Sequence, residues 1–400
     1  MLKNQLVEKE RVKISIVAIC LGIYFMMMPF DSFSMFGMGS LLRIIVLLPI
    51  GAIIGIKLRS SVQLNPLTVV FLLYCLSLVV TSFYSINQSI SFQNLKRILL
   101  NMVVIVCVGG MYDYNEKEIE FLKKCLVIGG MATLFLTLYF ADFSAGGRLT
   151  LSINGDTQDQ NYLNGYLFFA YVYFLEKLVE KKKRIMLLPV GGILFFTLMT
   201  GSRGALLALI GISAVSIFFL LWKNHILNLS TIMLAAVVLF FLVLLYEPTL
   251  SLLPETVAER FSLDYIVENG STGRSAIWKY LLNRYINSNI FRMLFGYGYS
   301  TVVLVNEYNH LVAHNLWIDH LIMGGLFGEL IFLSMQFTFL KAAWKSKDIF
   351  FIGSYIGYLI MMMTLSLLSY KPIWNCMIMI MIITRYQRNN LEMGGSSSEL

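Results

Sequence analysis

The amino-acid sequence predicts an all-α polytopic membrane protein, with about 12 transmembrane helices, both termini cytoplasmic and one long helical extracytoplasmic loop. Three observations carry this. Of 400 residues, 58% are hydrophobic and 14% charged, where a soluble domain has roughly 45–50% and about 25%. The apolar residues fall in blocks long enough to span a bilayer, separated by short polar stretches. The basic residues alternate in density from one inter-block segment to the next. This excludes a soluble enzyme, a secreted disulfide scaffold and a DNA-binding domain. The net charge of +8 belongs to cytoplasmic loops beside anionic lipid, so no nucleic-acid partner is expected.

Taken in order, the spans are expected near 14–30, 41–56, 66–84, 97–111, 125–141, 162–176, 185–201, 204–222, 229–246, 314–340, 349–369 and 373–385. The first follows a basic start and has no small-residue cleavage site after it, so it reads as an uncleaved span. With the N-terminus inside, the inside segments hold 20 of the 31 basic residues and the short outside segments six; the other five lie in the long outside loop. The organisation expected is residues 1–246 with nine spans, 247–313 as an extracytoplasmic cap, 314–390 with three spans, and a flexible tail at 391–400. Within the cap, Pro254 to Glu268 and Thr272 to Asn287 read as amphipathic helices, the second with Ile277, Trp278, Leu281, Leu282 and Tyr285 as its apolar set. The five cysteines lie in or beside apolar segments without CxxC spacing, as small buried hydrophobes do. No phosphate-binding loop, paired aspartates or Ser/His/Asp pattern appears, and no cofactor is expected.

The polar residues that need a reason lie on the predicted outer side. Arg203 sits in Thr200-Gly201-Ser202-Arg203-Gly204, a tight break between two spans. A guanidinium beside a helix N-terminus can cradle a phosphate; the alternative is a snorkelling arginine. Arg274 repeats the design after Gly273, with Ser271 or Thr272 as the expected cap, and a cation there opposes the helix dipole unless an anion binds. Arg148 follows two glycines, and Asp159 and Asn161 open the next span, as caps or as ligand contacts. His314 and Asn315 stand where the long loop enters the tenth span, and a histidine there can take a proton near neutral pH. His310 and Glu307 lie near enough in sequence to raise a metal site, though such spacing is common by chance. Gly324 and Gly328 form a small-xxx-small pair expected to pack against another helix. Glu329 is a carboxylate deep in a span.

The order of these pieces resembles the O-antigen polymerase and O-antigen ligase superfamily: Arg148…Asp159-Gln160-Asn161, then Thr200-Gly201-Ser202-Arg203-Gly204, then Ala313-His314-Asn315 with Gly324-Gly325-Leu326-Phe327-Gly328. Gly273-Arg274-Ser275-Ala276-Ile277-Trp278 and Phe295-Gly296-Tyr297-Gly298 fit the same pattern, and the likeness runs from about 140 to 335. The sequence departs from it at Gln160, where the family often has proline. The resemblance implies a multispan glycosyltransferase of the bacterial cytoplasmic membrane, working at its outer face without metal or nucleotide sugar. It implies an undecaprenyl-diphosphate-linked oligosaccharide as donor and a growing glycan as acceptor. Chain-length regulators and other polysaccharide-assembly proteins are candidate partners. On this reading His314 is the base, Arg203 and Arg274 stabilise the leaving diphosphate, and Arg148, Asp159, Asn161 and Asn315 bind substrate. A lipid-A-core ligase shares the chemistry. A secondary transporter or flippase would instead show internal repeats, or broken helices with charges near the midplane.

Overall fold

The computed structural model describes residues 14–32, 51, 53, 65–143, 147–153, 156–223, 248, 250–262, 264–265 and 273–395. The expected spans at 41–56, apart from two residues, and at 229–246 lie outside these. The fold is mostly helical, and among the described residues four helices are long and apolar enough to cross a membrane. These are α2 (Pro66–Phe83), α4 (Glu116–Tyr139), α8 (Arg203–Lys223) and α13 (Leu316–Lys345). The other described α-helices outside the 224–315 region are α1 (Ile16–Met26), α3 (Gln88–Val104), α5 (Gln160–Gly165), α6 (Phe168–Val179), α7 (Leu187–Met199), α14 (Ile349–Met362) and α15 (Lys371–Gly395). Between α8 and α13 lie α9 (Glu255–Phe261), α10 (Arg274–Ile286), α11 (Ile290–Phe295) and α12 (Val302–Val305).

Local chemistry sets the helix ends. Asn65 caps α2 ahead of Pro66, whose missing N–H costs nothing in the first turn. At α4, Asn115 and Glu118 form a reciprocal capping box. That box starts the helix nine residues before the expected span, because a capped first turn tolerates charges that a hydropathy reading excludes. The α4 face buries Leu122, Cys125 and Leu126 against α1, whose Val17, Leu21 and Phe25 are buried. In the centre, α14 packs against α8 and α6; Tyr355 and Tyr358 are among its largest buried side chains.

The predicted inner segments pair with one another. Lys123 of α4 bonds Asp348 at the start of α14, and Lys223 meets Glu180 at 3.1 Å. Arg385 meets Asp113 at 2.5 Å. The predicted outer segments likewise pair among themselves, as described below.

Four expectations are corrected. Residues 141–157 contain a small antiparallel sheet, β1 (Ala141–Asp142), β2 (Thr150–Ile153) and β3 (Asp156–Thr157), in the order β1-β2-β3, so the fold is not wholly α. The helix expected over Pro254 to Glu268 is interrupted after Phe261, with Ser262 as the extended C-cap; Asp264 and Tyr265 are helical, and 263 and 266–268 lie outside the described residues. The cap of α10 is Gly273, at φ 80 and without a side-chain cap bond, while Ser271 and Thr272 lie outside the described residues. The predicted apolar set of α10 holds, however, with Ile277, Leu281 and Tyr285 buried.

The fourth correction concerns the glycines of α13. Gly328 has no heavy atom within 4 Å of where a Cβ would stand, so the pair does not pack a neighbouring helix among the described residues. The close contact belongs to Gly325, which breaks the helix with φ 62 and ψ −163. A Cβ there would lie 2.5 Å from the Gly296 nitrogen, and an L-residue rarely adopts this φ. The break frees helix carbonyls, and the loop after α11 satisfies them. Tyr297 N–H donates to the Ile322 carbonyl and Gly298 N–H to that of Met323, both at 2.9 Å. The segment from Phe295 to Gly298 is thus stitched into α13.

Candidate active site

The Thr200–Gly204 turn anchors one group of side chains. Gly201 takes φ 60, which lets the chain turn sharply from α7 into α8. The helix begins at Arg203, one residue before the expected start, and Ser202 Oγ accepts a 3.4 Å bond from Ala205 N–H. Two arginines from elsewhere hold the turn by its carbonyls. Arg148 Nε donates to the Thr200 carbonyl at 2.8 Å and Arg260 Nε to that of Gly201 at 3.2 Å. Arg203 itself lies with its guanidinium carbon 5.8 Å from the Tyr265 ring centroid.

The start of α5 approaches from the other side. Arg148 Nη2 reaches Asn161 Oδ1 at 3.4 Å, and Asp159 Oδ1 accepts from Asn161 N–H at 2.7 Å and from its Nδ2 at 2.8 Å. Asp159 is thus the N-cap and Asn161 the link to Arg148. Arg274, the first residue of α10, donates through Nη1 to the Thr364 carbonyl at 2.7 Å.

Burial lowers the pKa of Arg148 to about 10, and Arg260 pushes in the same direction while Asp159 opposes it. Burial also lowers that of Arg274; Asp159 opposes, and Arg203 and Arg260 add to the lowering. Arg148, Arg203 and Arg274 thus each feel a neighbouring guanidinium, and Asp159 acts on Arg148 and Arg274. Partial burial weakens solvent screening, so such a group is poised to gain from an anion.

His314 faces the same group. Burial lowers its pKa below the ordinary histidine value, Arg274 lowers it further, and Asp159 opposes. It is therefore neutral at pH 7 and able to accept a proton. Its backbone has φ 51, in the left-handed region that histidine enters more readily than most residues. Its Nδ1 is buried without a hydrogen-bond partner among the described residues. The turn holding it is tied down by Asp319, 3% exposed. Asp319 Oδ1 accepts from Ala313 N–H at 2.9 Å, and its other oxygen accepts from the Ser366 hydroxyl. Trp278 Nε1 of α10 donates to the Ala313 carbonyl at 2.7 Å.

The fold thus brings together Arg148, Asp159, Asn161, Arg203, Arg274 and His314. Asn315 does something more modest: its Oδ1 caps α13, accepting from Trp317 and Ile318 N–H. Glu307 pairs with Arg284 at 3.2 Å, and among the described residues no three His, Cys, Asp or Glu side chains are grouped to hold a metal ion. Glu329 Oε2 is buried without a partner among the described residues.

Sequence reasoning missed Arg260 and Asp319. Arg260 follows Glu259 in a short polar helix, where a solvated charge is the ordinary reading. Asp319 carried a usable signal, a carboxylate inside an apolar span.

The family model for O-antigen ligase (Wzy_C) matches residues 188–333. That stretch holds Arg203, Arg260, Arg274 and His314 and leaves Arg148, Asp159 and Asn161 outside. It bears out the resemblance to the O-antigen polymerase and ligase superfamily. No curated protein matches the chain.

Proposed function

We propose that the chain is a metal-independent membrane glycosyltransferase that polymerises lipid-linked oligosaccharide repeat units at the outer face of the cytoplasmic membrane. The observation that carries this reading is the convergence of Arg148, Arg203, Arg260 and Arg274 beside a neutral His314. The arginines bind the diphosphate that links undecaprenol to the donor glycan. His314 removes the proton of an acceptor sugar hydroxyl, whose oxygen attacks the anomeric carbon. The bond from that carbon to the diphosphate oxygen breaks, and undecaprenyl diphosphate leaves with the electron pair. The guanidinium groups stabilise the charge as it develops, where preorganised donors count most. Chain-length regulators and other assembly proteins are the partners such a polymerase would meet.

A second reading, transfer of the glycan to lipid A-core, is favoured by the description of the matching family model. A transporter is favoured by the break in α13, but Tyr297 and Gly298 satisfy the carbonyls freed there. The polar group gathers instead at predicted outer loops.

Electrophoresis of surface glycan from a deletion strain tests the proposal. Polymerase loss leaves single repeat units in place of the long-chain ladder. Ligase loss removes attached glycan while the lipid-linked polymer persists. An unchanged glycan would refute both.

A further inference from the structure

A cleft of about 360 Å³ opens between the start of α5 and the segment joining α14 to α15, and Asp159 is in its lining. Three tyrosines border it: Tyr162 is partly exposed, while Tyr166 and Tyr370 are 2% and 6% exposed. The rings of Tyr162 and Tyr370 have centroids 5.5 Å apart, and those of Tyr166 and Tyr370 are 5.2 Å apart, edge to face. Two hydroxyls are tied to backbone: Tyr162 donates to the Ser366 carbonyl at 3.1 Å and Tyr370 to the Tyr162 carbonyl at 2.6 Å. These bonds fix the two rings in place.

The rest of the lining is polar. Gln158, Asp159 and Lys371 border the cleft. Gln158 Nε2 is buried and has no hydrogen-bond partner among the described residues. An amide donor left in that state carries a desolvation penalty that a ligand acceptor would relieve. Asp159 stands at the seam, since it borders the cleft and also acts on Arg148, Arg274 and His314.

One partly exposed, rigidly held tyrosine, Tyr162, beside an amide, a carboxylate and an ammonium group matches one ligand chemistry well. A pyranose ring offers C–H faces to tyrosine and hydroxyls to the polar groups. A lipid tail would gain nothing from that polar lining. The volume lies at the low end of the roughly 300–1,000 Å³ of small-molecule sites, suiting a mono- or disaccharide. We propose that this cleft is a sugar-binding subsite that holds a ring of the lipid-linked glycan next to the diphosphate. The proposal rests on the glycosyltransferase reading above. The ring belongs to the donor or to the acceptor, which share this chemistry.

Two probes separate the subsite from the diphosphate site in the full-length detergent-solubilised protein. One is undecaprenyl diphosphate without sugar. The other is a lipid-free oligosaccharide released by mild acid from the producing strain's own surface glycan. Tyr162→Ala and Gln158→Ala should each weaken oligosaccharide binding about tenfold and leave undecaprenyl diphosphate binding unchanged. Tyr162→Phe, which keeps the ring but loses the bond to the Ser366 carbonyl, should weaken oligosaccharide binding less than Tyr162→Ala does. Arg274→Ala should show the opposite selectivity. In turnover assays the cleft variants should raise KM for whichever substrate supplies the ring, donor or acceptor, and change kcat less. Oligosaccharide binding that is absent from the wild type, or is untouched by both cleft variants, would overturn the subsite. Undecaprenyl diphosphate failing to bind the wild type would instead overturn the lipid-diphosphate reading beneath it.

Discussion

Gly201→Ala perturbs the arginine group without removing a charge. Gly201 has φ 60, and holding an L-residue there costs roughly 1–2 kcal/mol. An alanine Cβ would stand 3.1 Å from Arg148 Nε and 3.4 Å from both Arg148 Cγ and Arg260 Cδ. The first distance is tighter than ordinary packing, so Arg148 must give way by a few tenths of an ångström. Arg148 and Arg260 also hold the turn by the carbonyls of Thr200 and Gly201, so turn and arginines move together. The folding cost is small beside the about 5–15 kcal/mol of a typical domain, and the variant should still express and insert. Misplacement by 1 Å in a preorganised site can cost about 100-fold, so a shift of a few tenths should lower kcat about tenfold. The assay is glycan transfer by purified protein, with thermal unfolding followed in parallel. Wild-type turnover from a folded Gly201→Ala protein would refute the claim that this turn sets the arginines.

Arg203→Ala and Arg274→Ala should each lose donor turnover about 10- to 100-fold, as when a charge-assisted contact worth about 1.5–3 kcal/mol is lost, and lysine should rescue only partly; full activity in both alanine variants would mark them as interfacial anchors. Arg260→Ala should lose turnover comparably, and unimpaired transfer would remove it from the site. Because burial and Arg274 lower the His314 pKa, the proposed base should stay neutral to below the ordinary histidine value, and activity should fall only on the acid side of it. Arg274→Ala should move that acid limb to higher pH, measured as kcat/KM against pH, and an unmoved limb would contradict the coupling. Asp319→Ala leaves the Ala313 N–H without its acceptor, which should cost about 1–3 kcal/mol, read as a lower unfolding temperature.

Much of this was legible because its causes are local. Hydropathy marks the long helices, and the i, i+4, i+8 set Ile277, Leu281 and Tyr285 marks the buried face of α10. The Thr200–Gly204 turn announces itself by its glycines. The features missed depend on partners distant in sequence. Nothing near Gly325 tells that it breaks α13, because the Tyr297 and Gly298 N–H groups that satisfy the break lie some 25 residues upstream. Arg260 resembles any surface arginine until the fold lays α9 against the 200–201 turn. Asn315 shows the converse: the resemblance implies a substrate contact there, and its Oδ1 serves as the cap of α13.

The most direct test uses purified protein in lipid nanodiscs, supplied with an undecaprenyl-diphosphate-linked repeat unit as both donor and acceptor, with no metal or nucleotide sugar. The account predicts a ladder of lipid-linked polymer and release of undecaprenyl diphosphate, both abolished by His314→Ala while undecaprenyl diphosphate still binds. Absence of any transfer from the wild-type protein, or an undiminished ladder from His314→Ala, would contradict it.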